Sequence, residues 1–410
     1  MSHPISNLRL QYFLNPAVAP TALYSDAQKQ ILGGEAFTQA EAQIVQWPGY
    51  APTPLRELSG LAKEVGVAKM YYKDEADRFG LNSFKALGGA YAVSRLLVRE
   101  VKNRCGVTDV TVDDLLSGRY REVTQGITVT CATDGNHGRS VAWGAQRFGC
   151  KCIIYIHATV SIGRKEAIEQ YGAQVIRTAG TYDDSVRQAA DDAEREGRFV
   201  VSDTSYEGYM DVPKDVMQGY AVMADEALRQ LPVGELPTHI FLQGGVGGLA
   251  AAVCAHFWEK LGTERPQFVV VEPDKAACLY ESARAGHPVA VHGTLDTVMA
   301  GLACGEVSLL AWEILYTGTK AFLTTDDESA LEAMRLLADR RYGDAPIVAG
   351  ESAVAGLAGC LGALANPDAR AQLALGANSR VMFFGSEGAT DPELYQRIVG
   401  RSADEVRASA

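Results

Sequence analysis

The chain has 410 residues, 47% hydrophobic and 21% charged, the balance of a globular protein long enough for two or three domains or one large multi-layer α/β unit. Asp and Glu outnumber Lys and Arg by 50 to 38, for a net charge of −12; this argues against nucleic acid or an anionic membrane as the main partner, since either needs a basic field. The 41 glycines and 15 prolines suit many tight strand-to-helix turns, and the composition excludes collagen-like, disordered and membrane-spanning chains.

In chain order, the opening MSHPISNLRLQYFLNP lacks a basic region followed by an apolar run, so no secretory signal is expected. The segment up to about Val45 reads as mixed and irregular. Proline punctuation begins at Trp47-Pro48 and Thr53-Pro54. Met70 to Lys73 then reads as a short strand and Ser83 to Glu100 as a helix. Ile127 to Thr133, rich in β-branched residues, is a predicted strand, followed by a helix from His137 to Phe148. Next come a strand from Cys150 to His157, a helix from Arg164 to Tyr171 and a strand from Gln174 to Arg177. Tyr182 to Glu196 carries Val186, Ala189, Ala190 and Ala193 on one helical face. Strand His239 to Leu242, helix Gly247 to Lys260 and strand Gln267 to Val271 complete the regular alternation. Its longest apolar helix-like stretch, Gly248 to Phe257, is far too short to span a bilayer.

Repeated β-α-β units of this length predict an α/β fold of two open, twisted, mostly parallel sheets flanked by helices. A smaller, mobile α/β domain is expected over residues 87–180, set within a larger one made of residues 1–86 and 181–410. Eight cysteines scattered over the chain do not form a secreted disulfide framework, so a cytoplasmic location is expected. Cys150 and Cys152 read as buried core thiols rather than ligands, since no second Cys/His pair has ligand spacing, and no metal site is expected.

Gly245-Val246-Gly247-Gly248-Leu249-Ala250 fits G-x-G-x-x-G/A between a strand and a helix, and Glu272 ends the next strand. That is the context of a dinucleotide site with the acid on the ribose. The loop itself says less. Gly244, Gly245, Gly247 and Gly248 let backbone N–H groups, Val246 included, converge on an anion at a helix N-terminus, which suits any phosphate monoester. Three further segments bear on the choice. Asn82-Ser83-Phe84-Lys85 places a lysine at an apolar helix start, where desolvation favours the free amine that imine chemistry needs. Thr133-Asp134-Gly135-Asn136-His137-Gly138 lies between a strand and a helix, and by itself also satisfies an Asx turn with a cap. Phe383-Phe384-Gly385-Ser386-Glu387-Gly388 is a strand end followed by a polar turn.

In this order, with the glycine loop between the second and third, the segments resemble the fold type II pyridoxal-5′-phosphate enzymes, the tryptophan synthase β-like family. The resemblance implies that Lys85 forms the imine with the cofactor and that Asn136 bonds its hydroxyl oxygen. It also implies Gly244 to Gly248 on the phosphate, Glu351 at the cofactor edge and Ser386 beside the pyridine nitrogen. A neutral hydroxyl at that nitrogen makes a weaker electron sink than an acid, which favours rapid β-elimination. A dinucleotide site has no task for Lys85 or Asn136.

Dehydratases of this fold usually carry Ser-x-Gly-Asn at the second segment, where it holds the substrate carboxylate. Here Asp134 stands at x. A carboxylate against a carboxylate is repulsive, so Asp134 is protonated or the substrate brings an extra cation or proton, as a β-ammonium does. The stretches Lys73-Asp74-Glu75, Asp203-Thr204, Met217-Gln218-Gly219-Tyr220, Glu272-Pro273-Asp274-Lys275, Thr297 to Glu306 and Gly350-Glu351-Ser352 together resemble the diaminopropionate ammonia-lyase family from about Pro48 to Arg397. That resemblance implies α,β-elimination of 2,3-diaminopropionate to pyruvate and ammonia, with Lys85 and Asp134 as bases on opposite cofactor faces, so that D and L forms both react. Ser83, Thr133, Asp134 and Asp203 are then the substrate-binding candidates, and a homodimer is expected. Asp203 also reads as a cap within Ser202-Asp203-Thr204-Ser205. The alternative is a serine, threonine or hydroxyaspartate dehydratase on the same fold. Cys278 and Cys304 flank the expected site mouth and are expected to be reduced.

Overall fold

A computed structural model describes residues 9–133, 135–180 and 182–409. It contains eleven strands: β1 (Leu10–Leu14), β2 (Leu55–Glu57), β3 (Lys69–Asp74), β4 (Thr128–Ala132), β5 (Lys151–Ile156), β6 (Gln174–Arg177), β7 (Phe199–Val200), β8 (His239–Gln243), β9 (Gln267–Pro273), β10 (Thr319–Thr325) and β11 (Arg380–Gly385). They form a seven-stranded sheet in the order β1-β10-β9-β8-β11-β3-β2 and a four-stranded sheet in the order β6-β5-β4-β7. All pairs in the small sheet are parallel, and the large sheet is parallel except at its two edges, where β1 and β2 run antiparallel. This is the α/β architecture expected from the sequence.

The chain divides into two compact units. One takes residues up to Gly34, Ala51–Ser83 and the chain from Met223 on; the other takes Glu35–Tyr50 and Phe84–Val222. These edges differ from those read in the sequence at 86/87 and 180/181. Residues 35–50 join the second unit because Trp47, 2% exposed, packs edge-on to Trp143 and Phe148 at ring-centre distances of 6.0 and 5.7 Å. The second unit runs past 180 because β7 completes its sheet, pairing with β4 at Val129 and Thr130.

The N-terminal segment is more regular than its sequence suggested. β1 lies there, followed by the helices Asp26–Ile31, closed by a Ser25 capping box, and Gly34–Ile44, which buries Phe37, Ala40 and Ile44. The helix expected over Ser83 to Glu100 spans Ala86–Cys105. Its start is delayed because Asn82 is left-handed at φ 53° and Ser83 forms an antiparallel bridge with Glu387. In the smaller unit this helix lies close to the helix Asn136–Phe148: a Cβ on Gly144 would approach Ala90 Cα to 2.8 Å. The larger unit buries β8 along its whole length and packs the helix Ala355–Ala365 on it, nearly every residue of that helix being buried. Among the described residues no helix is long and apolar enough to cross a membrane.

The larger unit also buries a cluster of charged side chains around Arg78. Arg78, 1% exposed, makes a two-pronged pair with Glu226 (Nη1–Oε1 2.8 Å, Nη2–Oε2 2.7 Å) and another with Glu75 (2.8 Å from both Nε and Nη2). Lys73 Nζ, fully buried, donates to Glu226 Oε2 and to the Thr53 carbonyl, each at 2.7 Å. Two cations meet two carboxylates, so the cluster is neutral, and removing one member strands the others without water. Glu226→Ala is therefore expected to cost about 3–5 kcal/mol of stability, read as a lower urea midpoint at unchanged slope.

Candidate active site

In the smaller unit Lys85 occupies the cap position of the helix Ala86–Cys105. Its Nζ donates to Asp203 Oδ2 at 2.6 Å, and each side chain is 19% exposed. The ammonium also lies 5.3 Å from the centre of the Phe84 ring and 5.7 Å from that of Tyr220, two rings that pack on each other at 4.5 Å. Close helix packing makes this possible. A Cβ on Gly219 would collide with the Leu87 carbonyl, and one on Gly88 with Tyr220 and Val216. The quoted Met217 to Tyr220 stretch thus brings a ring to the lysine, which its sequence alone did not reveal.

Burial would raise the Asp203 carboxyl, but the Lys85 ammonium and then the His137 ring outweigh it and hold Asp203 well below the ordinary carboxylate range. His137 Nδ1 is 3.8 Å from the same Oδ2. The cap reading of Asp203 gives way to this pairing, and it is the Ser202 hydroxyl oxygen that accepts from the Thr204 N–H at 3.2 Å.

Thr133 Oγ1 accepts from the N–H groups of Gly135 (3.0 Å) and Gly138 (3.1 Å), closing the turn that opens the helix Asn136–Phe148. Asn136 is the first residue of that helix, and its Oδ1 accepts from Arg139 Nη2 at 3.2 Å. Asp134 lies outside the described residues.

In the larger unit the glycine loop joins β8 to the helix Gly248–Leu261. Gly247 caps this helix in the left-handed region, φ 97°, and offers no side-chain cap to its first turn, an arrangement in which the leading N–H groups can receive an anion. Gly244 has no room for a Cβ, which would run into the Glu272 side chain. Glu272 itself is fully buried and accepts from the N–H groups of Leu279 (3.0 Å) and Tyr280 (2.7 Å). This removes the ribose partner that a dinucleotide site needs: the acid at the end of β9 braces the loop from behind. Cys278 Sγ, 3.4 Å from the Gly245 carbonyl, belongs to the same brace.

Three more candidates meet beside this loop. Gly301 N donates to Ser352 Oγ at 3.0 Å, Ser352 N donates to Glu387 Oε1 at 3.0 Å, and Gly350 N donates to the Glu387 carbonyl at 2.9 Å. Gly388 N reaches back to the Asn82 carbonyl at 3.0 Å. Glu351 and Ser386, each 4% exposed, and Ser83, 1% exposed, thereby share one neighbourhood. The segment entering it is held in an uncommon backbone state, with Phe79 and Asn82 both at φ 53°.

A family model described as pyridoxal-phosphate dependent enzyme matches residues 46–386. Diaminopropionate ammonia-lyase of Salmonella typhimurium is 39% identical over 388 residues, covering 92% of this chain and 95% of the relative. The structure of holo diaminopropionate ammonia lyase from Escherichia coli matches with a TM-score of 0.85 at 36% identity, covering 98% of this chain and 99% of that one. The same relative is also solved with D-serine and with an aminoacrylate-PLP azomethine reaction intermediate. This chain therefore belongs to the pyridoxal-phosphate dependent enzymes and, among them, to the diaminopropionate ammonia-lyase family.

The residues present fit the cofactor that this family uses. The uncapped, glycine-lined helix start suits its phosphate, and the partly desolvated Lys85 amine suits its aldehyde. Glu272 offers a test of the brace. Burial, opposed by the Leu279 and Tyr280 N–H groups, pushes its carboxyl up to about 8 from an ordinary 4.5. The folded protein then holds a proton that the unfolded chain has released, so this contribution to stability is full below pH 4.5 and is lost as pH rises through 8. In cofactor-free protein, Glu272→Gln should flatten the decline in stability over that window, which for wild type has a slope of at most about 1.4 kcal/mol per pH unit from this group.

Proposed function

We propose that this protein eliminates ammonia from 2,3-diaminopropionate, in both D and L forms, to give pyruvate. The balance is one diaminopropionate and one water to one pyruvate and two ammonia. The observation that carries the reading is the Lys85–Asp203 pair at 2.6 Å, an amine held beside an anion and two aromatic rings at a helix start.

Pyridoxal phosphate, when bound, supplies an aldehyde that condenses with amines and a ring that takes up the electron pair left by loss of the α-proton. Lys85 Nζ would hold its aldehyde carbon, the N–H groups of Gly244 to Gly248 its phosphate, Asn136 its hydroxyl oxygen and Ser386 its pyridine nitrogen, with Glu351 at its edge. Ser83 and Thr133 bind the substrate carboxylate; the Thr133 oxygen is engaged with two backbone N–H groups, which leaves its hydroxyl proton to donate. Once freed, the Lys85 amine removes the α-proton of one enantiomer, and Asp134 removes that of the other. The β-ammonium of the substrate answers the negative charge of Asp134, and Asp203 gives it a second anion when Lys85 no longer occupies it. A protein acting as a homodimer in amino-acid breakdown in the cytoplasm is part of the same proposal. The family resemblance supports the dimer, and eight cysteines scattered without the spacing of a disulfide framework support a reducing compartment.

The test is pyruvate release from D- and L-2,3-diaminopropionate, with D-serine, L-serine and L-threonine alongside and 2-oxobutyrate followed for threonine. Both diaminopropionate enantiomers should turn over well above serine; turnover of a hydroxy amino acid alone would overturn the reading in favour of a dehydratase. Asp134→Asn should lower kcat/KM for the D form by about 10²–10⁴-fold, the usual worth of a general base, and affect the L form less.

A further inference from the structure

His137 Nε2 lies 2.7 Å from the carbonyl oxygen of Val201, in a ring only 8% exposed. A carbonyl only accepts, so Nε2 carries the ring proton, and in the neutral imidazole Nδ1 is a bare lone pair. That atom is buried and has no hydrogen-bond partner among the described residues. A buried acceptor left unmatched costs about 1–3 kcal/mol, so its persistence at this position calls for a use. It faces Asp203 Oδ2 at 3.8 Å, too long for a hydrogen bond to an anion that itself has no proton to give, and Asp203 meanwhile takes the Lys85 ammonium at 2.6 Å. One carboxylate oxygen thus stands between two nitrogens, one carrying a proton it must lose and the other with room for one.

We infer that His137 is a positioning residue that takes the proton released by Lys85 through Asp203, and then serves as the ion-pair partner of Asp203 while Lys85 is bonded to the cofactor. This rests on the reading of Lys85 given above. The balance is simple. The Lys85 ammonium gives its proton to Asp203 Oδ2, Oδ2 passes it to His137 Nδ1, and the neutral amine adds to the aldehyde carbon with loss of water. Charge over the three groups is unchanged, and no oxidant or other reagent enters. When the amine is freed again, the proton returns by the same route.

The surrounding charges favour this exchange. Burial lowers the His137 imidazole, Asp203 raises it, and the Lys85 ammonium lowers it again. Loss of the lysine charge removes one of the two lowering influences and leaves the anion in place. Among the described residues, Cys131, Tyr209 and Tyr220 also interact with Asp203, and all three are pushed up by burial and hence neutral at working pH.

Histidine ring nitrogens followed by NMR between pH 5 and 9 test the idea in three samples of the full chain: cofactor-free wild type, cofactor-loaded wild type and Lys85→Ala. His137→Asn identifies the signal. The His137 titration should rise by about one unit or more, tenfold in proton affinity, in the loaded protein and in Lys85→Ala relative to the cofactor-free wild type. A smaller rise, or none, in Lys85→Ala overturns the proposal. That sample needs neither cofactor nor substrate, so its result stands apart from any failure of the pyruvate assay. A rise in Lys85→Ala with none in the loaded protein would mean that the ring senses the lysine charge but takes no proton when the cofactor bonds, and it also overturns the proposal.

Discussion

Parallel pairing sends neighbouring strands in one direction, and this constraint decides where chemistry gathers in each unit. In the larger sheet β3, β11, β8, β9 and β10 are parallel, so their carboxyl ends share one edge. The segments that leave that edge are Glu75 to Ser83, Gly244 to Gly248 and Ser386 to Gly388. In the smaller sheet β4 and β7 are parallel neighbours, and the segments leaving them carry Asn136 and Asp203. Residues far apart in the chain meet there because strand direction leaves them no other exit. The Lys85–Asp203 pair spans 118 positions of sequence. The apolar strand interiors fix the edge, and the edge places the polar turns.

Charge withdrawn from water is handled in two contrasting ways. Lys73 and Arg78 sit in a closed cage in which Glu75 and Glu226 answer both cations, and Lys73 has no exposure at all. Such a cage fixes geometry and offers nothing to a ligand. It braces the start of the segment that runs through the left-handed Phe79 and Asn82 toward Ser83. Lys85 keeps a fifth of its surface exposed and faces two rings, so the amine is stabilised by Asp203 yet open to an incoming group. Both lysines meet a carboxylate at close range, and the completeness of the cage separates a structural cation from a reactive one.

Local pattern made much of this legible. Gln174–Arg177 and Tyr182–Glu196 have the bounds expected from the sequence: the first is a short run around two adjacent β-branched residues, and the second repeats apolar residues at i, i+3, i+4 and i+7 from Val186 to Ala193. β1 was hidden in a segment that reads as irregular, since what makes it a strand is its pairing with β10 from Leu10↔Thr325 to Leu14↔Ala321. Motif order pointed to Lys85, Asn136 and the glycine loop. Tyr220 and the bare nitrogen of His137 were not legible, because each acquires its meaning from a contact that packing makes: Tyr220 through the Gly88 and Gly219 approach, His137 through the Val201 carbonyl. Glu272 was visible at the end of its strand, but only the Leu279 and Tyr280 N–H groups reveal that it turns away from any sugar.

Glu272 and Asp203 show what sets the state of a buried acid. Burial opposes the charge on both, and the two nevertheless move in opposite directions. Glu272 is hydrogen-bonded to N–H dipoles and a thiol, with the Glu281 charge adding to the effect of burial, so it keeps its proton far above the ordinary range; Asp203 has an ammonium at 2.6 Å and stays ionised. Each outcome suits the segment beside it. A phosphate cradle built from backbone N–H groups is weakened by any anion close behind it, and a protonated Glu272 braces the loop without adding one. An amine that must shed and regain a proton needs an anion beside it, and Asp203 supplies that charge. A cation placed near Glu272 would favour its ionised form and set a negative charge behind the loop; among the described residues its hydrogen-bond partners, the Leu279 and Tyr280 N–H groups and the Cys278 thiol, are all uncharged.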